Sequence, residues 1–218
     1  MSTDFKPNLT PQQIFAYGSF GGSYWRPIDG YANEHLDLPN EWWQDIDKDL
    51  LISPVDNKQV NKYKVRAGSS LQNWKDKGWI KENIDPYGWV QWYCHYYAGR
   101  RTNDDNRQIQ RWLNFAGPNG RWRGRLISTI KKKGGQYDDY SISPVIRQSL
   151  QHWAYQLTKE DLAEFGYLYA KVQDKWHISE QAIDFLYIGS NSFNFEIPGT
   201  LQIIQNHSNY SNKDGYYP

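Results

Sequence analysis

Asp138 and Asp139 stand side by side just behind Gly134-Gly135, and they are the chain's best carboxylate pair for chemistry. One such group can stabilise positive charge developing on a sugar, or activate a water, beside a base flipped out onto aromatic rings. The plainer reading of the same pair is a polar loop after a glycine helix stop. A second constellation lies just upstream. Arg100, Arg101, Arg107, Arg111, Arg121, Arg123 and Arg125 lead into Lys131-Lys132-Lys133, with only Asp104 and Asp105 opposing them in that stretch. The whole chain carries a formal net charge of +1, so this excess is a local asymmetry. Its counterweight is the acidic segment 29–49, with Asp29, Glu34, Asp37, Glu41, Asp45, Asp47 and Asp49. A basic cluster of this density is expected to contact phosphate, unless the acidic segment folds back and neutralises it.

Two helices over 104–133 would carry these charges, joined by Ala116-Gly117-Pro118-Asn119-Gly120. A glycine turn between helices leaves amides pointing outward at the second helix's start, where the helix dipole also favours an anion, so Gly117 and Gly120 are expected to frame a phosphate seat. On that second helix Trp122, Leu126 and Ile130 share one face. Arg121, Arg125, Ser128 and Lys132 share the opposite one, and Arg100 and Arg101 add to the basic surface. Arg123 falls on the apolar side, which predicts a buried arginine paired with Asp138 or Asp139. Trp 11 and Tyr 17 make rings the main core material. Trp74, Trp79, Tyr87, Trp89, Trp92, Tyr93, Tyr96 and Tyr97 are too many to bury fully, so some should line a cleft. Tyr24, Trp25, Trp89, Trp92 and Tyr96 are the candidates for stacking on a base or other ring ligand.

From Arg107 to Trp153 the residues resemble the helix-hairpin-helix element of the DNA glycosylase superfamily. The matching positions are Gly117 and Gly120 in the hairpin, Arg121-Trp122 after it, and Asp138 or Asp139 beyond the second helix. That resemblance implies DNA backbone gripped by the hairpin and a base excised with one aspartate as the catalytic group. The stretch Tyr17-Gly18-Ser19-Phe20-Gly21-Gly22-Ser23-Tyr24-Trp25-Arg26-Pro27 resembles a family of uncharacterised viral and eukaryotic proteins, and implies no mechanism. Its physical alternatives are a ligand-gripping turn and a helix cap that tucks Phe20 and Trp25 into the core.

The elements that must position these residues are mostly α-helical. Thr10-Pro11-Gln12-Gln13 carries a capping box with Gly18 as a stop, and Ser70 opens a helix closed by Gly78. Asp85-Pro86 is expected to open the ring-rich helix ending at Gly99, Asn103 the next to Phe115, and Asn119 the one ending at Lys133. Ser143-Pro144 starts a helix with Ile146, Leu150, Trp153 and Leu157 on one face, and Thr158 with Asp161 begins another. A later helix runs from Ser179 to Gly189, Phe193–Ile197 with Leu201–Ile204 suggests a small hairpin, and the chain from Asn206 reads as a loose tail. The expected architecture is one helical domain over 1–205 and a tail over 206–218.

Several classes are excluded or unsupported. Cys94 is the single cysteine, so no internal disulfide or cysteine zinc site exists. His35, His95, His152, His177 and His207 show no metal or triad spacing, and no phosphate-binding loop or dinucleotide fingerprint occurs, so no metal and no cofactor is expected. No apolar run reaches membrane-spanning length and the N-terminus has no apolar leader, which predicts an intracellular protein without a membrane partner. The expected function is DNA binding, single- or double-stranded, with glycosylase-like action on a base. The alternatives are a non-enzymatic nucleic-acid-binding accessory protein of a virus or phage, and a carbohydrate-binding or carbohydrate-active protein.

Overall fold

The computed structural model describes residues 4–28 and 30–163. Six α-helices lie wholly within them, with no strand among the described residues: α1 (Pro11–Ala16), α2 (Leu71–Asp76), α3 (Trp89–Tyr97), α4 (Asp105–Ala116), α5 (Arg121–Lys132) and α6 (Pro144–His152). The expectation of a mostly helical chain is therefore met. None of these helices is long and apolar enough to cross a membrane. The later helix, the hairpin and the tail expected beyond residue 163 lie outside the described residues.

Local chemistry explains where most elements begin. Thr10 and Gln13 form the expected reciprocal capping box at α1, and Ser70 accepts from the Asn73 amide at 3.2 Å to start α2. Thr158 and Asp161 cap each other at the foot of a helix that begins at 159. Other starts differ from expectation, at Asp85 because the expected cap is used elsewhere. Asp85 does not open α3; its carboxylate takes two 2.7 Å bonds from Arg100, and the chain turns at Gly88 (φ 87) before the helix begins at Trp89. Nor does Asn103 open α4, which starts behind Asp104, nor Asn119 α5, which starts behind Gly120. Helix α6 follows Ser143 as expected but stops at His152, so Trp153 and Leu157 lie beyond it. Ala154 there turns left-handed (φ 55) and gives its carbonyl to the amides of Asn8 and Leu9.

Helix α3 is the hub of the core. Trp92 is fully buried on it, with ring centroids of Phe5, Trp89 and Tyr96 at 5.9, 5.7 and 4.9 Å. Helix α4 packs on α3 and α5, and α5 on α6, through Trp112, Leu126, Ile130 and Leu150. The long connection from α1 to α2 is held by short turns and by glycine at close approaches. At Gly22 (φ 78) an added Cβ would collide with the Asp49 carbonyl.

Candidate functional site

A ring-walled cleft of about 520 Å³ opens where α2, α3, α4 and the end of α6 meet. Each element contributes a defined stripe. Helix α4 presents Arg107, Arg111, Asn114 and Phe115, spaced so that all lie on one face, while Ile109, Trp112 and Ala116 face the core. Helix α6 contributes Ser149, His152 and Trp153, again one stripe continued past the helix end. Trp74, Lys77 and Trp79 come from α2 and the loop after it, Trp89 from the start of α3, Trp122 from α5, and Phe20 and Tyr24 from the turn after α1.

The positive edge of the cleft is fixed in place by a buried carboxylate. Asp104 is 1% exposed and accepts from Arg107 Nε and Nη2 at 2.7 Å each, from Gln108 Nε2 at 3.0 Å and from Lys81 Nζ at 2.7 Å. Burial pushes its pKa up, but the bonds from Arg107 and Lys81 outweigh that and hold the carboxyl below its ordinary value. Arg107 and Arg111 each also donate to the Trp79 carbonyl at 3.2 Å, which ties that ring's segment to α4. The Arg111 guanidinium lies 5.3 Å from the Trp153 ring. Lys77 and Arg111 also line the cleft, and among the described residues Asp104 is the carboxylate that answers both Arg107 and Lys81.

His152 belongs to the inner wall and is neutral. Its Nε2 accepts the Phe20 amide at 3.1 Å and faces Gln148 Nε2 at 3.1 Å, so the ring proton sits on Nδ1. Gln148 is oriented by accepting the Tyr63 amide through Oε1. Burial pushes the His152 pKa down to about 3. Below the ordinary histidine pKa the unfolded chain takes up a proton that the folded chain refuses, so stability falls with falling pH and is fully present above about pH 6.5. Chemical denaturation across pH is expected to show a loss of roughly 1 kcal/mol per pH unit between about pH 6 and about pH 4. His152→Gln, which keeps an acceptor without a titration, should flatten most of that limb. His35, also held low by burial, adds to the same limb, and the lowered carboxyl of Asp104 adds to its acid end.

The expected site residues divide sharply. Tyr24 and Trp89 line the cleft. Tyr24 is largely buried, its hydroxyl donating to the Tyr87 carbonyl at 2.7 Å and accepting the Gln91 amide at 2.9 Å. Trp25 and Trp92 are core rings, 1% and 0% exposed, and no ligand ring reaches them. Tyr96 is half-buried beside Phe5 and Trp92, with the Arg101 guanidinium 3.8 Å from its centroid. Arg100 is bound to Asp85, and Arg101 to the Tyr96 and Arg100 carbonyls, so both serve the α3 end.

On α5, Arg121, Arg125 and Lys132 are exposed together, as expected, but Ser128 is buried rather than displayed with them. The Arg121 guanidinium lies 5.3 Å from the Trp122 ring, so the basic face begins at the cleft wall. Arg123 is buried, as its position on the apolar side predicts, but its partner is Asp161 at 2.6 Å and neither Asp138 nor Asp139. Those two aspartates occupy the turn after α5 and do not line the cleft. Asp138 is exposed; Asp139 accepts from Ser141 Oγ at 2.6 Å and its amide at 3.1 Å, bonds that hold the carboxyl below its ordinary value. Gly117 and Gly120 do form the α4–α5 turn, and no side chain caps the start of α5. The acidic segment does not neutralise the basic helices: among the described residues, no ion pair draws on a carboxylate of 30–49.

Sequence reasoning named Arg107 and Arg111 in the basic cluster and Trp74 among the surplus rings without bringing them to one cleft, and it missed Trp153, Phe20 and Ser149 as lining residues. The one available signal was the second stripe on α4, where Arg107, Arg111, Asn114 and Phe115 recur at helical spacing beside the more apolar one. Among the described residues, no group of three or more His, Cys, Asp or Glu is placed to hold a metal. Comparison with known proteins finds no matching family model, no curated relative and no similar solved structure.

Proposed function

We propose that this protein binds nucleic acid, taking an unpaired base into the ring-walled cleft and the flanking phosphates on Arg107, Arg111 and the exposed face of α5. The observation that carries this reading is the pairing, in one cleft, of tryptophan and phenylalanine walls with an arginine edge. Bases stack on rings irrespective of sequence, and guanidinium groups hold the phosphates that necessarily accompany them. A duplex offers no base that can enter, so single strands are the preferred ligand and DNA the first to test. Base excision by Asp138 or Asp139 draws no support from their position off the cleft. The proposal is therefore one of binding.

The test is a fluorescence titration of a labelled single-stranded DNA and its duplex across salt concentrations. Wild type is expected to prefer the single strand and to lose affinity steeply with salt. Replacing Arg121, Arg125 and Lys132 together by alanine should reduce the log–log slope by about 2, at roughly 0.7 for each single-strand phosphate that is no longer neutralised. Salt-independent binding of a sugar polymer, with no binding of either DNA, would overturn the reading.

A further inference from the structure

Helix α2 brings to the cleft wall a ring and an amide that the fold leaves open. Trp74 is half-buried and, among the described residues, makes no ring contact with another aromatic. Neighbouring wall rings are already taken: Trp153 stacks on Phe115 at 4.8 Å, Trp89 on Tyr93 at 5.2 Å and Phe20 on His152 at 3.9 Å. Two left-handed glycines flank Trp74 instead. A Cβ added to Gly68 (φ 84) would lie 3.9 Å from its Cζ2, and one added to Gly88 (φ 87) 4.0 Å from its Cε3, so the missing side chains keep the space beside the indole clear. A half-buried ring with no ring upon it is a stacking surface for a ligand.

Asn73, the residue before it, lines the same cleft and is also half-buried. Its Nδ2 donates to Ser69 Oγ at 2.8 Å, which fixes the way the amide faces. Its Oδ1 has no hydrogen-bond partner among the described residues and is open to solvent. The atom turned away from Ser69 is therefore an acceptor that water, or a ligand in its place, can reach.

We propose that Trp74 and Asn73 form the base-reading wall of the cleft, with Trp74 as the stacking surface and Asn73 Oδ1 as the acceptor that selects bases carrying an exocyclic amino group, adenine and cytosine, over the oxo bases hypoxanthine and uracil. This rests on the nucleic-acid reading above and adds to it a base preference. A base laid on Trp74 displaces the water at Asn73 Oδ1 and has to replace its hydrogen bond. An amino group does so; an oxo group at the same place sets two acceptors against each other. Lys77, Arg107 and Arg111 bring only donors, which suit phosphate, so the acceptor is what tells one base from another.

The test uses the full chain and short single strands of abasic residues carrying one base each, adenine, hypoxanthine, cytosine or uracil, so that only that base can enter. Wild type is expected to bind the adenine strand about tenfold more tightly than the hypoxanthine strand, and cytosine over uracil in the same sense. Asn73→Ala should erase both preferences, with the oxo strands bound no more weakly than by wild type. Ser69→Ala frees the amide to turn and offer its N–H, and should narrow both preferences while strand binding persists. Trp74→Ala should weaken all four strands alike, by about tenfold. Wild type without a preference, a preference for the oxo bases, or an Asn73→Ala variant that keeps the wild-type order overturns this inference, while strand binding and its salt slope still stand. So does an Asn73→Ala variant that weakens all four strands alike, because Asn73 then serves the wall and not the base. If no strand binds wild type at any salt, this inference and the nucleic-acid reading fall together.

Discussion

Trp92→Ala is expected to lower the unfolding free energy by about 4 kcal/mol, the usual range for deleting a fully buried tryptophan. Two losses add. The ring leaves a cavity among Phe5, Trp89 and Tyr96, which close packing allows to collapse only in part. The indole N–H also stops donating to Asp105 Oδ1 at 2.9 Å. That oxygen is simultaneously held by Thr102 Oγ1 at 3.0 Å, while Asp105 Oδ2 accepts the Thr102 amide at 3.1 Å, so the bond anchors the turn that starts α4. Since α4 carries the arginine edge of the cleft, its loosening should blunt ligand binding as a secondary effect. Trp92→Phe separates the two losses by filling most of the cavity while still removing the N–H, and should cost about 1.5 kcal/mol. Urea denaturation of the three proteins measures both values. A Trp92→Ala variant as stable as wild type would return this residue to the set of free stacking rings.

That contrast shows what the amino-acid order reveals and what it hides. The caps at Thr10 and Ser70 are legible because the whole device lies within four consecutive residues. Asp85 is misleading for the opposite reason. A carboxylate serves equally as a cap or as an ion-pair partner, and what decides between them is Arg100, fifteen positions away. The apolar side of α5 predicts that Arg123 is buried, but the identity of its partner depends on where Asp161 folds back. The cleft is the extreme case. Phe20, Trp74, Trp89, Phe115 and Trp153 come from five stretches of chain, and no periodicity connects them. The high tryptophan content predicts that some rings line a cavity, yet Trp25 and Trp89 look alike: packing buries both, to 1% and 5% exposure, and only the second borders the cleft.

The α4–α5 hairpin carries the second large effect. Gly120→Ala is expected to cost about 3 kcal/mol or more, because a Cβ there would stand 2.7 Å from the amide nitrogens of Ala116 and Gly117 and from the carbonyl carbon of Phe115. These are backbone atoms of the helix end it packs against, so no side chain can swing away. The φ of Gly120 is −67°, ordinary for any residue, and the requirement for glycine is entirely one of space. Relief must come from moving α4 away from α5, which separates Phe115 from Trp122 and opens the wall they form at 6.0 Å between ring centroids. Gly117 meets the same limit, with a Cβ 2.7 Å from the Leu113 carbonyl oxygen. The hairpin's glycines therefore bring the arginine stripe of α4 and the basic face of α5 to a common edge, whether or not their amides ever touch an anion. Thermal melts and DNA titrations on Gly120→Ala distinguish the two uses. Spacing alone predicts a lower melting temperature with weakened binding of every ring-bearing strand. A phosphate seat on the hairpin amides predicts, in addition, a smaller salt slope for the fraction that remains folded. A variant that melts with wild type would show that the hairpin yields freely and that the cleft does not depend on it.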